Sequence, residues 1–214
     1  MTINIYLVDD HRILRDGLRM LLELQGDIHV VGEAEDGRTA LDGILRTRPD
    51  VVLMDITMPE LNGIDATQKI MLKLPKTKVI ILSVHSDSEH IYRAFQAGAK
   101  GYLLKESAGV EVVKAVHTVY QDTQYISPKI SDAIPLNYAR QRQERSPFES
   151  LSAREREVLQ LTTEGATSAA IAAKLALSPK TVDTYRSRLM EKLGMQNLPE
   201  LVRFAIKHGL TPPE

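Results

Sequence analysis

The 214-residue sequence contains no cysteine, which excludes disulfides and thiolate metal sites and is typical of a protein from a reducing compartment. It also has no stretch near the roughly 18 consecutive apolar residues that a membrane span requires. The N-terminal segment MTINIYLVDD lacks the basic start and small-residue cleavage site of a secretory signal. We therefore expect a cytoplasmic protein without a membrane segment.

The sequence also has no large excess of positive or negative charge, since its formal net charge is −1. The charges are nevertheless unevenly distributed along the chain. Residues 1–120 carry 14 basic and 17 acidic side chains, whereas residues 151–214 carry 9 basic and 7 acidic ones. A surplus of two positive charges is a weak electrostatic signal for nucleic acid, so any prediction of DNA binding must depend on motif geometry.

Five short apolar runs occur before residue 105 and alternate with segments in which apolar residues recur at helical spacing. The runs are too short for helices and apolar on both faces, which favours strands covered on both sides. This alternation predicts an α/β domain with a doubly wound, five-stranded parallel sheet over residues 1–121. We also predict a capping box of Ser86 and Glu89 for the fourth helix, with Gly98 as its left-handed C-terminal residue. The predicted strands are Ile3–Val8, Ile28–Val31, Val51–Met54, Val79–Leu82 and Tyr102–Leu104.

The periodicity weakens after Gln121, where polar residues and three prolines accumulate, and we interpret residues 122–149 as a linker. Residues 150–214 then show a purely helical pattern that predicts a second, all-α domain of four short helices. Each helix has a start signal, and the four are Ser152-x-x-Glu155, Thr167, Ser178-Pro179 and Asn197-x-x-Glu200.

Acidic, hydroxyl and basic side chains lie at the carboxyl ends of four predicted strands. Asp9 and Asp10 follow the first strand and Asp55 the third, while Ser83 and Lys105 end the fourth and fifth. In a doubly wound sheet these ends meet at one crevice. A single aspartate here is equally explained as a helix N-cap, but three together repel each other unless a cation lies among them, and oxygen ligands indicate Mg²⁺. The set predicts a phosphoryl-transfer site.

Residues 1 to about 121 resemble the receiver domains of two-component response regulators. The matching segments are LVDDH, MDITMPELNG, ILSVH and GYLLK. The resemblance implies that a sensor histidine kinase phosphorylates Asp55 and that Ser83 and Lys105 bind the phosphoryl oxygens. It also implies that Tyr102 reorients as a switch when Ser83 is drawn inward. The implied Mg²⁺ ligands are Asp10, Asp55 and the backbone carbonyl of Thr57, with Asp9 binding at least through water.

Several of these residues also have simpler interpretations. Taken alone, Lys105 is a surface lysine after a strand, Tyr102 is an ordinary strand aromatic, and His11 is a helix-start residue rather than a metal ligand. Thr57 and His85 each lie two residues beyond a strand-end residue, where they flank the path of a hydrolytic water. We therefore predict that Thr57 and His85 set the lifetime of the phosphoryl group.

The segment from about Leu151 to Leu210 resembles the LuxR-type DNA-binding domain, and with the receiver it resembles the NarL/FixJ family. The matching segments are LSAREREVL, IAAKL, SPKTVDTYRSRLMEKLG and LVRFAIKHGL. Thr167–Leu175 and Pro179–Leu193 also have the spacing of a helix-turn-helix. The resemblance implies that Pro179–Leu193 enters the major groove and that the last helix makes dimer contacts. Our candidates for DNA contact are Lys180, Thr181, Thr184, Arg186, Ser187 and Arg188.

Asp183 departs from the pattern, because many relatives have lysine there. An aspartate can accept a hydrogen bond from cytosine, but it removes a phosphate-binding charge. We therefore expect weak intrinsic DNA affinity that depends on dimerisation.

The sequence as a whole predicts a transcriptional regulator, not an enzyme, that forms a homodimer and binds double-stranded DNA when phosphorylated. One alternative is a signalling module whose helical domain binds protein or RNA. Another is a flavodoxin-like enzyme acting on a small phosphorylated or carboxylated substrate, although no glycine-rich phosphate loop follows the first strand.

Overall fold

The computed structural model describes residues 2–131 and 147–211, and its N-terminal half is a parallel sheet with helices on both faces. The strands are β1 (Ile3–Val8), β2 (Ile28–Ala34), β3 (Val51–Asp55), β4 (Lys78–Ser83), β5 (Gly101–Leu104) and β6 (Tyr125–Ile126). The helices between them are α1 (Arg12–Glu23), α2 (Gly37–Thr47), α3 (Gly63–Lys73), α4 (Ser88–Gln96) and α5 (Ala108–Tyr120).

The strand order is β2-β1-β3-β4-β5-β6, and all neighbouring strands are parallel. The predicted doubly wound, five-stranded core is confirmed, and the order reverses direction between β1 and β3. The sixth strand lies in the segment interpreted as linker, where Tyr125 and Ile126 pair with Gly101 and Tyr102. Two residues are too short to produce a periodic signal, so only the pairing with β5 reveals this strand.

Both faces of the sheet are buried, as the continuous apolar runs predict. In β3 every residue is buried, with Val52 and Met54 in the core on one face and Val51 and Leu53 in the core on the other. Each such side chain contributes about 1.5–3 kcal/mol through burial of apolar surface. The sheet is therefore a rigid frame for the side chains at its carboxyl edge.

The predicted capping box of α4 is wrong. The helix begins at Ser88 rather than after Ser86, and the carboxylate of Asp87 caps it by accepting a hydrogen bond from the backbone N–H of His90 at 3.2 Å. Aspartate caps a helix as well as serine does, so the tertiary structure decides between neighbouring candidates. The prediction for Gly98 is consistent with its φ of +100°.

The C-terminal part is a bundle of four helices, preceded by α6 (Pro128–Ser131) and a 3-10 turn at Pro147–Ser150. Residues 132–146, within the predicted linker, lie outside the described residues. The four predicted starts are the N-caps Ser152, Thr167, Ser178 and Asn197. The helices are α7 (Ala153–Thr163), α8 (Ser168–Leu175), α9 (Pro179–Leu193) and α10 (Leu198–Lys207). None of the described helices combines the length and apolar character that a membrane span needs.

Gly63 and Gly17 provide a matched test of backbone packing in the N-terminal domain. A methyl group added at Gly63, the first residue of α3, would collide with the backbone oxygen of Asp55, whereas one at Gly17 would meet nothing. We expect Gly63→Ala to lower the free energy of unfolding by about 1–3 kcal/mol because the backbone must shift. Gly17→Ala lies inside α1 and should raise it by about 0.5–1 kcal/mol. Urea denaturation followed by circular dichroism measures both, and an unchanged midpoint for Gly63→Ala would contradict the close approach.

Candidate functional site

Two buried carboxylates from β1 and β3 meet around one lysine at the carboxyl edge of the sheet. Asp9 and Asp55 are 1% and 3% exposed. The Nζ atom of Lys105 lies 2.7 Å from Oδ2 of Asp9 and 2.6 Å from Oδ2 of Asp55. Because β1, β3 and β5 run parallel, their ends bring together three residues that are far apart in sequence.

One lysine does not fully compensate the negative charge of this pocket. Burial, followed by repulsion from Asp9, raises the pKa of Asp55 to about 7 despite the neighbouring Lys105. Burial would by itself lower the pKa of Lys105, but attraction to Asp55 and Asp9 outweighs that effect and the pKa is raised. Lys105 therefore stays protonated, and its single positive charge does not balance the negative charge of the carboxylate pair.

Asp10 and His11 are the more exposed members of the pocket. Asp10 is only partly buried, and its Oδ1 lies 2.6 Å from Nδ1 of His11. The same ring nitrogen is 3.1 Å from Oδ1 of Asp9, and the His11 side chain is largely exposed. His11 occupies the N-cap position of α1 without a side-chain capping bond. Its ring therefore contacts the acids in addition to starting the helix.

The donor atoms of this pocket fit a hard divalent cation. Carboxylate oxygens of Asp9, Asp10 and Asp55, together with a ring nitrogen of His11, lie within 4.8 Å of one another. Oδ2 of Asp9 lies 2.7 Å from Nζ of Lys105, and Oδ1 of Asp10 lies 2.6 Å from Nδ1 of His11. A carboxylate oxygen accepts more than one contact, so both buried oxygens retain lone pairs that a divalent cation would bind. The backbone N–H of Thr57 lies 3.4 Å from Oδ1 of Asp55, at the same edge.

Ser83 and Tyr102 are joined through the loop that follows β4. Ser83 is buried and its hydroxyl oxygen accepts a hydrogen bond from the backbone N–H of His85 at 3.0 Å. Tyr102 is fully buried, and its hydroxyl donates to the carbonyl oxygen of His85 at 2.8 Å. Burial raises the pKa of Tyr102, so this phenol stays protonated and remains a donor. Ser83 and Tyr102 are therefore both bonded to the backbone of His85.

The loop after Asp55 is bound to α7 of the helical domain by a buried amide network. The side-chain oxygen of Gln160 accepts from the backbone N–H of Asn62 at 2.8 Å, and its Nε2 donates to the carbonyl oxygen of Met58 at 2.8 Å. Gln160 is fully buried. Ion pairs surround the amide network, between Arg156 and Asp65 at 2.7 Å and between Lys69 and Glu157. Sequence analysis missed these residues, because a glutamine on a helix gives no signal of its partner.

A second contact joins α4 to the end of the helical domain. The guanidinium of Arg93 lies 4.0 Å over the ring of Phe148, and its Nη1 donates to the carbonyl oxygen of His208 at 3.0 Å. Nδ1 of His208 is 3.0 Å from a carboxylate oxygen of Glu89. The hydroxyl of Thr57 is 3.4 Å from the carbonyl oxygen of Gly209. The helical domain therefore contacts Thr57, just after Asp55, as well as α4.

The helix α9 has one buried face and one exposed polar face. Val182 and Leu189 are fully buried, with Leu193, Tyr185 and Met190 at the edge of the same core. The candidate DNA-contact residues on the opposite face, which are Lys180, Thr184, Ser187 and Arg188, are exposed. Arg186 is exposed beside them and Thr181 is half-buried near the start of the helix.

Asp183 has a structural role within this helix-turn-helix. Its Oδ1 accepts a hydrogen bond from the hydroxyl of Ser168 at 2.7 Å, which connects α9 to the start of α8. The same oxygen lies 3.3 Å from a guanidinium nitrogen of Arg186. The carboxylate therefore orients a neighbouring cation, and the expected weak DNA affinity stays a prediction.

Comparisons with known proteins agree with both halves of the chain. Residues 5–117 match the model of the response regulator receiver domain, and residues 149–205 match that of bacterial regulatory proteins of the luxR family. The response regulator UvrY of Escherichia coli K12 is 42% identical over 212 residues, which cover 99% of this chain and 97% of that protein.

Two solved structures are similar over almost the whole chain. The response regulator RcsB of Salmonella typhimurium is 26% identical with a TM-score of 0.65, and the match covers 97% of this chain and 98% of RcsB. An RcsB–DNA complex is 26% identical with a TM-score of 0.61, covering 97% of this chain and 99% of the RcsB chain.

The raised pKa of Asp55 predicts how stability depends on pH when divalent cations are removed with EDTA. Asp55 ionises near pH 3.8 in the unfolded chain and near 7 in the folded one. Stability should therefore fall as pH rises from about 4 to about 7. Asp55→Asn removes this loss. We expect its free energy of unfolding to be about 1–3 kcal/mol higher than that of wild type at pH 8, and no higher at pH 4. Urea denaturation tests this, with the exposed Asp16→Asn as control. Equal stability of Asp55→Asn and wild type at pH 8 would contradict it.

Proposed function

Because the chain belongs to the two-component response regulators of the NarL/FixJ family, we propose that it is a transcriptional regulator controlled by phosphorylation of Asp55 by a sensor histidine kinase. Relatives of this kind bind DNA, and the phosphoryl chemistry of the pocket serves signalling rather than turnover of a substrate. The observation that carries the proposal is the contact of Lys105 with both Asp55 and Asp9.

The pocket supports phosphoryl transfer to a carboxylate oxygen of Asp55. The nucleophile lies at the carboxyl end of β3, beside the point where strand order reverses, and Lys105 and Ser83 would bind the transferred phosphoryl oxygens. Mg²⁺, held by Asp9, Asp10, Asp55 and the backbone carbonyl of Thr57, would neutralise the charge that phosphorylation adds. Binding of Ser83 to the phosphoryl group displaces the loop that Tyr102 holds through His85, which is the basis for Tyr102 as a switch.

The signal reaches the helical domain through the loop that connects Asp55 to α3. This loop contains Met58 and Asn62, whose backbone groups are bonded to Gln160 of α7. Gln160 is fully buried, so a shift of this loop would break hydrogen bonds that bulk solvent does not reach, and partial rearrangement is costly. Phosphorylation is therefore expected to change the docking of the helical domain as a discrete step.

The exposed face of α9 supports DNA binding in the major groove by Lys180, Thr184, Ser187 and Arg188, with Thr181 and Arg186 at phosphates. The structural similarity to an RcsB–DNA complex supports this placement. Two phosphorylated copies that form a dimer would bind paired half-sites. Linking the two DNA-binding domains raises the effective concentration of the second at its half-site.

We assign the receiver to residues 1–121, the linker to residues 122–149 and the DNA-binding domain to residues 150–214. The matched ranges 5–117 and 149–205 lie close to these boundaries. The strand β6 pairs with β5 and lies inside the assigned linker, so the receiver sheet extends slightly beyond residue 121.

Treatment with acetyl phosphate and Mg²⁺ tests the proposed switch. We expect it to promote dimerisation and to raise the affinity for a DNA fragment selected from a random pool by at least about tenfold, because paired half-sites are then bound together. Asp55→Ala removes the acceptor and should abolish the response, while the exposed Asp16→Asn should respond as wild type. Analytical ultracentrifugation and fluorescence anisotropy measure the two effects. An undiminished response of Asp55→Ala would refute the assignment.

Arg188 and Arg186 test the DNA-reading face. We expect Arg188→Ala to cost about 1–3 kcal/mol of binding free energy on the selected fragment, because it is assigned to a base. Arg186→Ala should instead weaken binding to specific and random DNA alike, because it is assigned to a phosphate, and should lower the salt slope by about 1. Lys76→Ala, on the exposed surface of the receiver, is the control. DNA binding by both α9 variants at wild-type strength would show that this face does not contact DNA.

A further inference from the structure

A buried arginine on α1 is hydrogen-bonded to the backbone of the acidic pocket. Arg15 is 7% exposed, and its Nη1 donates to the backbone carbonyl oxygen of Asp9 at 2.5 Å. Within residues 2–131 and 147–211, Arg15 forms no ion pair and its buried Nε has no hydrogen-bond partner. A buried charge without an opposite charge costs stability, so this arginine is poorly explained as a stabilising element of the fold.

The carbonyl group that Arg15 binds belongs to the peptide unit between Asp9 and Asp10. A peptide unit is planar, so a bond that holds its oxygen also fixes the direction in which the chain enters Asp10. On the other side, the backbone N–H of Asp9 donates to the carbonyl oxygen of Ala34 on β2 at 3.2 Å. Asp9 is therefore held by its backbone from both β2 and α1, and Arg15 supplies the contact from α1.

The carboxylates of the two acids are oriented by separate contacts. Oδ1 of Asp9 accepts from the backbone N–H of His11 at 2.9 Å, and its Oδ2 lies 2.7 Å from Nζ of Lys105. Oδ1 of Asp10 lies 2.6 Å from Nδ1 of His11. These contacts set how each carboxylate is turned, whereas the backbone sets how far Asp10 lies from Asp55. Among the described residues, Arg15 is the one side chain that is bonded to the backbone of either acid.

We propose that Arg15 is a positioning residue for divalent-cation binding, which holds the peptide between Asp9 and Asp10 so that both carboxylates face the same ion as Asp55. The inference rests on the proposed function of this pocket. Mg²⁺ requires near-ideal octahedral geometry, so a small rotation of the peptide would move the carboxylate of Asp10 away from the ion. Groups that orient metal ligands without touching the metal commonly change its affinity by about 10–100-fold.

Calorimetric titration of the full chain with MgCl₂ tests the role of Arg15. Methionine keeps an unbranched apolar side chain but has no donor, so we expect Arg15→Met to bind Mg²⁺ at least about tenfold more weakly than wild type. Arg19→Met is the matched control on the next turn of α1, because Arg19 pairs with Glu33 at 2.8 Å and does not contact the pocket. It should bind Mg²⁺ as wild type does. Equal Mg²⁺ affinities of Arg15→Met and wild type would overturn the proposal.

The dependence of phosphorylation on Mg²⁺ separates positioning of the ion from a general structural role. With acetyl phosphate as donor, Arg15→Met should need at least about tenfold more Mg²⁺ to reach half of its maximal rate. At saturating Mg²⁺ it should reach the wild-type rate, because Asp55 and Lys105 are unchanged. A lower maximal rate with an unchanged requirement for Mg²⁺ would contradict positioning and indicate a structural defect.

Urea denaturation in EDTA establishes that each variant is folded. If Arg15→Met does not fold, Arg15→Lys decides alone, because lysine keeps the charge but lacks the planar guanidinium and reaches less far. We expect Arg15→Lys to bind Mg²⁺ more weakly than wild type, and wild-type affinity in that variant would overturn the proposal. Failure of the wild-type chain itself to bind Mg²⁺ would instead contradict the proposed function of the pocket, and the role of Arg15 with it.

Discussion

The contact of one lysine with two buried carboxylates is the interaction on which the rest of this structure depends. Lys105 holds Asp9 and Asp55 together where water cannot screen their repulsion. One positive charge against two negative ones leaves excess negative charge in the pocket, which a cation or a proton would offset. The pocket is thus suited to a reversible change of charge rather than to structural stabilisation.

Hydrogen bonds connect this pocket to the second domain. The loop that leaves Asp55 is bonded through its backbone to the buried amide of Gln160, and the loop that leaves Ser83 is held by Tyr102. Buried polar networks lose much of their energy when one member moves, so the proposed phosphorylation of Asp55 would favour a discrete change in how the helical domain docks. In the docked arrangement the polar face of α9 remains exposed.

The docked interface also covers the start of α4. Gly209 lies against the stacked rings of His85 and His90, and Arg93 of α4 donates to the carbonyl oxygen of His208. The helical domain therefore contacts the loop whose backbone is bonded to Ser83 and Tyr102, as well as the loop after Asp55.

The sequence by itself determined the order of strands and helices and the residues at the strand ends, because buried strands are continuously apolar and the edge of a parallel sheet collects Asp9, Asp55 and Lys105. It also determined the N-caps of the helical domain, such as Ser152 and Asn197, since capping is local chemistry. Capping of α4, the two-residue strand β6 and the docking of the domains were decided only by tertiary structure. Docking depends on contacts between residues about 100 positions apart, such as Asn62 and Gln160, and β6 depends on its pairing with β5, and no local periodicity encodes either. For the cap of α4, Ser86 and Asp87 are adjacent candidates that local chemistry does not distinguish.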